Sequence, residues 1–336
     1  MSTVPGNRLR AILSRFDKAR VVVVGDLVAD EFIYGQIDRV SREAPVLILK
    51  YDSTEIVPGG AGNAAANAAA LGADVQVIGA VGNDDAGGRL LDVLGRHADV
   101  RGVIRAKKGV TTVKTRILAG GVHSAKQQVV RVDRAGLPIT TAMAQQVESI
   151  VARAIRKADA VILSDYGGGL ATPGMWRRAL KAARLKKPPV VLVDSRYALT
   201  TFADMTAVTP NESEVEALLG VRIDDDRATL ERAGRKLLGQ LGCRAVLITR
   251  GSRGMALFEN DRTTVHIPIV GSDQIADVTG AGDTVIATFA LALASGASFS
   301  EAARLANYAG GLVVMKRGTA SVTRSELEHS IINSEN

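Results

Sequence analysis

Five short runs rich in β-branched residues recur along the chain: VVVVGD (21–26), VQVIGA (75–80), AVILSD (160–165), VVLVD (190–194) and AVLIT (245–249). Each is apolar at successive positions, not at alternate ones, so each strand needs cover on both faces. Between them lie helical patterns, AGNAAANAAALG (61–72), DAGGRLLDVLGRHA (85–98), TAMAQQVESIVARAIRKA (141–158) and GMWRRALKAARL (174–185). Strands covered twice and alternating with helices indicate βαβ units. The expected fold is α/β, a three-layer sandwich around a mainly parallel central sheet.

Two stretches break this rhythm, 34–57 with PVLILKYDSTEIV and 109–133 with VTTVKTRILAG and QQVVRVD. Apolar and polar residues partly alternate in both, which predicts half-exposed strands without a following helix. They are expected to form a small sheet projecting from the core, a lid, a dimer surface or both. No Pro- or Ser-rich linker, fixed-period repeat or low-complexity tract divides the 336 residues. One domain over 1–336 with a lid formed by 34–57 and 109–133 is the expected organisation.

The formal charge of +7 raises the question of nucleic acid, but the cations are scattered and the densest cluster, Arg184 to Lys187, closes a predicted helix. With aromatics at 4 %, base-stacking platforms are not evident, and no nucleic-acid partner is expected. A modest positive field suits small anions such as nucleotides and sugar phosphates. No apolar run reaches the roughly 18 uncharged residues of a membrane span, and the N-terminus lacks a secretory pattern. The single cysteine, Cys243, permits no internal disulfide and reads as structural. These features predict a cytoplasmic protein without a membrane partner. His97, His123, His266 and His329 show no metal-ligand spacing, and Trp176 is expected to pack a helix.

In open parallel sheets, ligands sit beyond the carboxyl ends of the strands. The polar residues expected there are Asp26, Asp30, Asp165, Asp194, Asn211, Glu214 and Thr249, with Gly251. Such carboxylates suit a divalent cation, a hydroxyl to be deprotonated, or both, although any one of them alone can be a helix cap. The stretch DVTGAGDTVIATFALALASG (277–296) opens an apolar helix with Gly280, Ala281 and Gly282, followed by Asp283. A helix start offers unpaired N–H groups, and small residues let an anion approach them. Asp283 is then either a first-turn acid or a proton acceptor beside an anion hole. As an acid in a helix dipole it is expected to have a lowered pKa and to act late on the attacking hydroxyl. No Gly-Lys pair exists for a P-loop. The dinucleotide-like GGAGNAAANAA (59–69) follows Pro58 instead of a central strand, which argues against a nicotinamide cofactor.

DVTGAGD resembles the C-terminal signature of the PfkB, or ribokinase-like, carbohydrate kinases, and GGAGNAAANAAALG the N-terminal one. The likeness runs through VVGDLVADEF, VGNDDAG, SDYGGGL, TPNESEVEALLG, ITRGSRGMALF and ANYAGGLVVMKRGT. The resemblance implies a ribokinase-like fold and phosphoryl transfer from ATP with Mg²⁺ to a sugar hydroxyl. Asp283 matches the catalytic base, and Gly280, Ala281 and Gly282 the anion hole. Asp30, Gly59, Gly60 and Asn63 match positions that hold sugar hydroxyls. Asn211 and Glu214 match the NxxE that organises Mg²⁺, often through water. Thr249, Gly251 and Gly254 match the nucleotide-side TxGxxG, and Asn307 falls on the helix bordering adenine. Asp277, Thr279 and Gly318 resemble a loop able to hold K⁺, and a homodimer through the lid sheets is implied as well.

Within the family the chain looks most like the heptose 7-phosphate kinase group. RVSREAPVLILK, TTVKTRILAGGVHSAKQQVVRVD, SDYGGGL and VVMKRGTASVTRSELE carry that likeness. It implies conversion of heptose 7-phosphate to the 1,7-bisphosphate in lipopolysaccharide precursor synthesis. Arg116, Gln128 and Arg131 would then lie near the sugar or its existing phosphate, unless they are merely solvated strand positions. Two departures stand out: the lysine of SDYxKG is a glycine here, and DPK reads Asp194, Ser195, Arg196. Arg196 can still meet a phosphate, but a guanidinium fork is not a point charge. The chain ends soon after SELEHSIINSEN, so phosphorylation without nucleotidyl transfer is expected. A kinase for ribose, fructose or another polyol, and a non-catalytic sugar or nucleotide sensor, remain alternatives.

Overall fold

The computed structural model describes residues 4–121, 126–270, 277–316 and 318–334. Thirteen strands among them make two sheets. The strands are β1 (Arg20–Gly25), β2 (Leu27–Val40), β3 (Leu47–Gly60), β4 (Asp74–Gly82), β5 (Asp99–Ala106), β6 (Thr112–Gly120) and β7 (Gln127–Arg134). They continue as β8 (Ala160–Asp165), β9 (Val190–Ser195), β10 (Ala207–Val208), β11 (Ala245–Thr249), β12 (Met255–Glu259) and β13 (Val265–Ile267). The helices are α1 (Gly6–Leu13), α2 (Ala61–Ala70), α3 (Asp85–Leu94), α4 (Thr141–Ala154), α5 (Pro173–Ala183), α6 (Glu212–Leu219), α7 (Arg227–Leu241), α8 (Ala281–Ala294), α9 (Phe299–Val313) and α10 (Arg324–Asn333).

The large sheet has the order β13-β12-β11-β10-β9-β8-β1-β4-β5, parallel from β5 to β11 and antiparallel at β12 and β13. The run of valines in β1 explains its central place. Val21 and Val23 face a core built with α1, α2, α3, α8, α9 and α10, whereas Val22 and Val24 face a second core built with α4, α5, α6 and α7. Successive side chains point to opposite faces, so a strand apolar at every position fills both cores. Trp176 is fully buried in the second core, as a packing residue should be, and the Cys243 thiol donates to the Ala245 carbonyl. Burial pushes that thiol up to about 11 and keeps it unreactive.

The small sheet has the order β3-β2-β6-β7. It begins earlier than its exposed pattern predicts, at Leu27 instead of residue 34, and β3 runs directly into α2 instead of lacking a helix. The first half of β2 is buried from Leu27 to Asp30, so its composition there shows no half-exposed alternation. Pro58 is accommodated because β3 is an edge strand. Register places Asp30 beside Lys114, Phe32 beside Arg116, Arg116 beside Arg131 and Lys114 beside Asp133.

Gly25 lets three elements meet where β1 ends. A Cβ there would lie 2.1 Å from the Ser164 carbonyl oxygen of β8 and 3.0 Å from Ala61 Cβ of α2. Gly25→Ala should therefore destabilise the fold by about 1–3 kcal/mol, read as a lower urea midpoint with an unchanged m-value.

Candidate active site

The β1 end, the loop after β8 and the start of α8 converge on Asp283, which is 5 % exposed. Gly280 is the N-cap of α8 with φ of +78°, and a Cβ there would lie 2.4 Å from Asn63 Nδ2. Only glycine meets both demands. The Ala281 N–H donates to the Val278 carbonyl, which removes it from the expected anion hole. The N–H groups of Gly282 and Asp283 have no backbone partner among the described residues, and a Cβ on Gly282 would meet open space. The turn thus leaves fewer N–H groups open than the sequence suggests.

Asp283 is held from two directions. Asn63 Nδ2 donates to its Oδ2 at 2.8 Å, and the Tyr166 hydroxyl donates to its Oδ1 at 3.2 Å. Behind Asn63, the Asn67 amide donates to the Asn63 side-chain and main-chain oxygens at 3.0 Å each, and Thr284 Oγ1 donates to Asn67 Oδ1 at 2.8 Å. The Asn63 side chain is therefore hydrogen-bonded on both sides, to Asp283 and to Asn67. Burial raises the Asp283 carboxyl to about 6, and the two hydrogen bonds oppose that rise without cancelling it. This reverses the lowered pKa expected from the helix dipole, because desolvation outweighs a terminal partial charge.

The glycine-rich loop after β8 is tied to β1 through Asp26, whose Oδ2 accepts the N–H groups of Tyr166 at 2.9 Å and Gly168 at 2.8 Å. Asp165 accepts from Ser195 Oγ at 2.7 Å and from the Gly167 N–H, a structural role. Asp30 lies within β2, not beyond a parallel strand, and pairs with Arg116 Nη1 at 2.5 Å, both side chains largely buried. Arg116 also stands over the Phe32 ring, so it is not a solvated strand position. Gly59 is required beside Asp30, where a Cβ would lie 2.3 Å from Oδ2, and Gly60 has φ of +57°. Arg131 forms a bidentate pair with Asp133 at 2.7 Å, and Gln128 is exposed on β7.

On the other flank, Asn211 and Glu214 form a capping box for α6, each side chain accepting the other's N–H at 2.9 Å. Asn211 bridges to Thr249, and Glu212 pairs with Arg250 and Arg253, so the NxxE and TxGxxG turns lie together. Gly251 is open, whereas Gly254 has φ of +76° and a backbone contact that excludes a side chain. Asn307 is buried on α9 and donates to the Pro268 carbonyl at 2.8 Å. Asp194 links the flanks electrostatically. Burial first, then Asp283 and Glu214, raises its carboxyl to about 7. The Asp277 carboxylate accepts the N–H groups of Thr279 at 2.9 Å and Gly318 at 3.1 Å, joining those three residues. Among the described residues no cluster of three His, Cys, Asp or Glu is preformed for a metal, and His123 lies outside them.

A buried carboxylate beside bared helix N–H groups, with acids and glycine turns on one rim, suits phosphoryl transfer. The pfkB family carbohydrate kinase model matches residues 18–326. The chain belongs to this family. As a pfkB carbohydrate kinase it is 40 % identical over 308 residues to the bifunctional protein HldE of Geobacter metallireducens, which covers 91 % of this chain and 61 % of that one. Against HldE of Gluconobacter oxydans the identity is 37 % over 324 residues, covering 96 % and 66 %. The chain thus spans less than two thirds of the length of these relatives. Its fold is similar to Escherichia coli phosphofructokinase-2 in complex with potassium, with TM-score 0.76, 19 % identity and coverage of 95 % and 99 %. It is also similar to Arabidopsis thaliana ribokinase complexed with ribose and ATP, with TM-score 0.69, 21 % identity and coverage of 93 % and 98 %.

Several residues of this kinase site escaped the sequence reading. Tyr166 sits inside SDYGGGL, and Asn67 and Thr284 follow Asn63 and Asp283 by one helical turn or less, but only packing shows that they meet. Asp283 yields a stability prediction. A carboxyl raised from 3.8 to about 6 costs folding nothing below pH 4 and its full amount above pH 6, on the order of 3 kcal/mol. Asp283→Asn should accordingly be more stable than the parent by about 1–3 kcal/mol at pH 7.5, a gain that vanishes near pH 4 in urea unfolding.

Proposed function

We propose that this carbohydrate kinase transfers the γ-phosphoryl group of ATP to the anomeric hydroxyl of a heptose 7-phosphate, giving the 1,7-bisphosphate. The observation that carries the reading is the buried Asp283 carboxylate at the bared start of α8. Asp283 takes the hydroxyl proton while that oxygen bonds to phosphorus and ADP leaves, and the Gly282 and Asp283 N–H groups receive the developing charge. A base near pKa 6 is ionised at neutral pH yet holds a proton better than an exposed carboxylate. Asp30, with Gly59 and Gly60, orders the sugar, and Arg116, Gln128 and Arg131 line the same small sheet. Support for the heptose comes from the sequence likeness and from the similarity to HldE.

The nucleotide would lie along Thr249, Gly251 and Asn211. The acids fit Mg²⁺ bound mainly through water and phosphates: Asp194 has no hydrogen bond to its carboxylate among the described residues, and Glu214 keeps Oε1 free of the capping box. Mg²⁺ supplies charge neutralisation for the transferring phosphates. Asp277, Thr279 and Gly318 would hold K⁺, with residues 271–276 and 317 outside the described structure.

One kinase domain with the small sheet as lid is the organisation we infer, with strands at 27–60 and 112–134 in place of the narrower expected spans. Val130 and Val132, about half exposed on β7, suit pairing of two lids into a homodimer. Among the described residues no helix is long and apolar enough to cross a membrane. Together with the buried free thiol, this agrees with a cytoplasmic enzyme.

Asp283→Asn should lower kcat at least about a hundredfold on the best sugar, and a loss within threefold would remove Asp283 from the role of base. In the parent, kcat/KM should fall as pH drops below an apparent pKa near 6, because the base must be unprotonated. Val130→Asp should shift the sedimentation coefficient from dimer to monomer.

A further inference from the structure

Tyr166 lies in the glycine-rich loop after β8 and is half-buried, while Gly167, Gly168 and Gly169 beside it are exposed. A loop with three glycines holds a side chain in one place only if its backbone is tied down. Asp26 supplies the tie, because its Oδ2 accepts the N–H groups of both Tyr166 and Gly168. The fit is closest at Gly168, where a Cβ would lie 2.6 Å from Asp26 Oδ1. The glycine that stands where SDYxKG has a lysine is therefore a condition of this clamp. The clamp aims one hydroxyl. Tyr166 donates to Asp283 Oδ1 at 3.2 Å from the loop, while Asn63 donates to Oδ2 at 2.8 Å from α2. One donor on each oxygen fixes the carboxylate plane, whereas Asn63 alone would leave it free to turn about Cβ–Cγ. Burial first, then the charges of Asp283 and Asp194, holds the phenol above its usual range, so it remains a donor at every working pH.

We propose that Tyr166 is the positioning residue of Asp283: clamped by Asp26, its hydroxyl holds Oδ1 so that the carboxylate meets the sugar hydroxyl in one orientation. This rests on Asp283 as the base, proposed above. The charged groups facing Asp283 are Asp30 on β2, Lys114 on β6 and Asp194 on β9, with Arg196 standing over the Tyr166 ring. Among the described residues none of these hydrogen-bonds the Asp283 carboxylate, so none replaces the phenol as a donor. A donor to a carboxylate favours its ionised form. Removing the hydroxyl should therefore make Asp283 harder to ionise.

The test is the pH profile of kcat/KM on the best sugar, measured on the full chain with saturating ATP and Mg²⁺. In the parent the acid limb should fall near pH 6. Tyr166→Phe should move that limb about one pH unit upward, leaving activity about fivefold below the parent at pH 6. At about pH 8.5 its kcat should return to within about threefold of the parent, with KM for ATP within about twofold, which mere disorder of the loop would not give. Gly168→Ala keeps the hydroxyl but displaces the clamped loop, so it should move the limb in the same direction, and it decides the matter if Tyr166→Phe does not fold. A limb that stays within about 0.3 pH unit of the parent's in either folded variant overturns the positioning role and leaves Asp283 as the base. A parent with no acid limb between about pH 5 and pH 7 overturns Asp283 as the base instead.

Discussion

The hydrogen bond from Asn63 to Asp283 joins the two helix starts on which the site depends. It spans 220 residues of sequence and brings the small-residue face of α2 against the opening turn of α8. Asn67 and Thr284 continue the contact into the core, so an apolar helix pair carries a fully satisfied polar seam. That seam fixes the carboxylate where water cannot reach it freely. Desolvation then raises the Asp283 carboxyl, and the two donors limit the rise so that it remains ionisable near neutrality.

Charge pairing divides the sugar side into structural and available groups. Asp30 and Arg116 face each other in a largely buried pair, which anchors the base of the small sheet and shapes the cradle left open by Gly59. A buried pair of this kind costs desolvation, so its value lies in geometry more than in net stability. Lys114 stands in register between Asp30 and Asp133, and among the described residues neither it nor Arg196 makes an ion pair as close. On the opposite flank, Asn211 and Glu214 close a capping box, which shows how one NxxE can order a helix start and still present an oxygen to the rim.

Much of the architecture was legible before folding. Valines at successive positions of β1 require two covered faces, and the five recognised strands all lie in the large sheet. The small sheet was visible only where it is exposed, from Tyr34 onward, because its buried first half has the composition of a core strand. Gly280 and Asp283 stood out only with the other signature stretches of the chain, because a helix start with small residues and an acid by itself reads equally well as a cap. The contacts of Tyr166 and Asn67 were not legible, since nothing local separates a buried, hydrogen-bonded tyrosine from an exposed loop one.

The sequence by itself determined the layered α/β fold, because periodicity is a local property of the chain, and its signature stretches already resembled the pfkB family that the whole-chain match then showed. Tertiary structure alone decided which groups remain available. It committed Asn63 to Asp283, Asn307 to Pro268, Ala281 to Val278, and Arg116 and Arg131 to carboxylates. It also raised the Asp283 carboxyl, expected to be lowered, to about 6. Hydrogen-bond partners and desolvation depend on what packs across the fold, and no stretch of sequence carries that information locally.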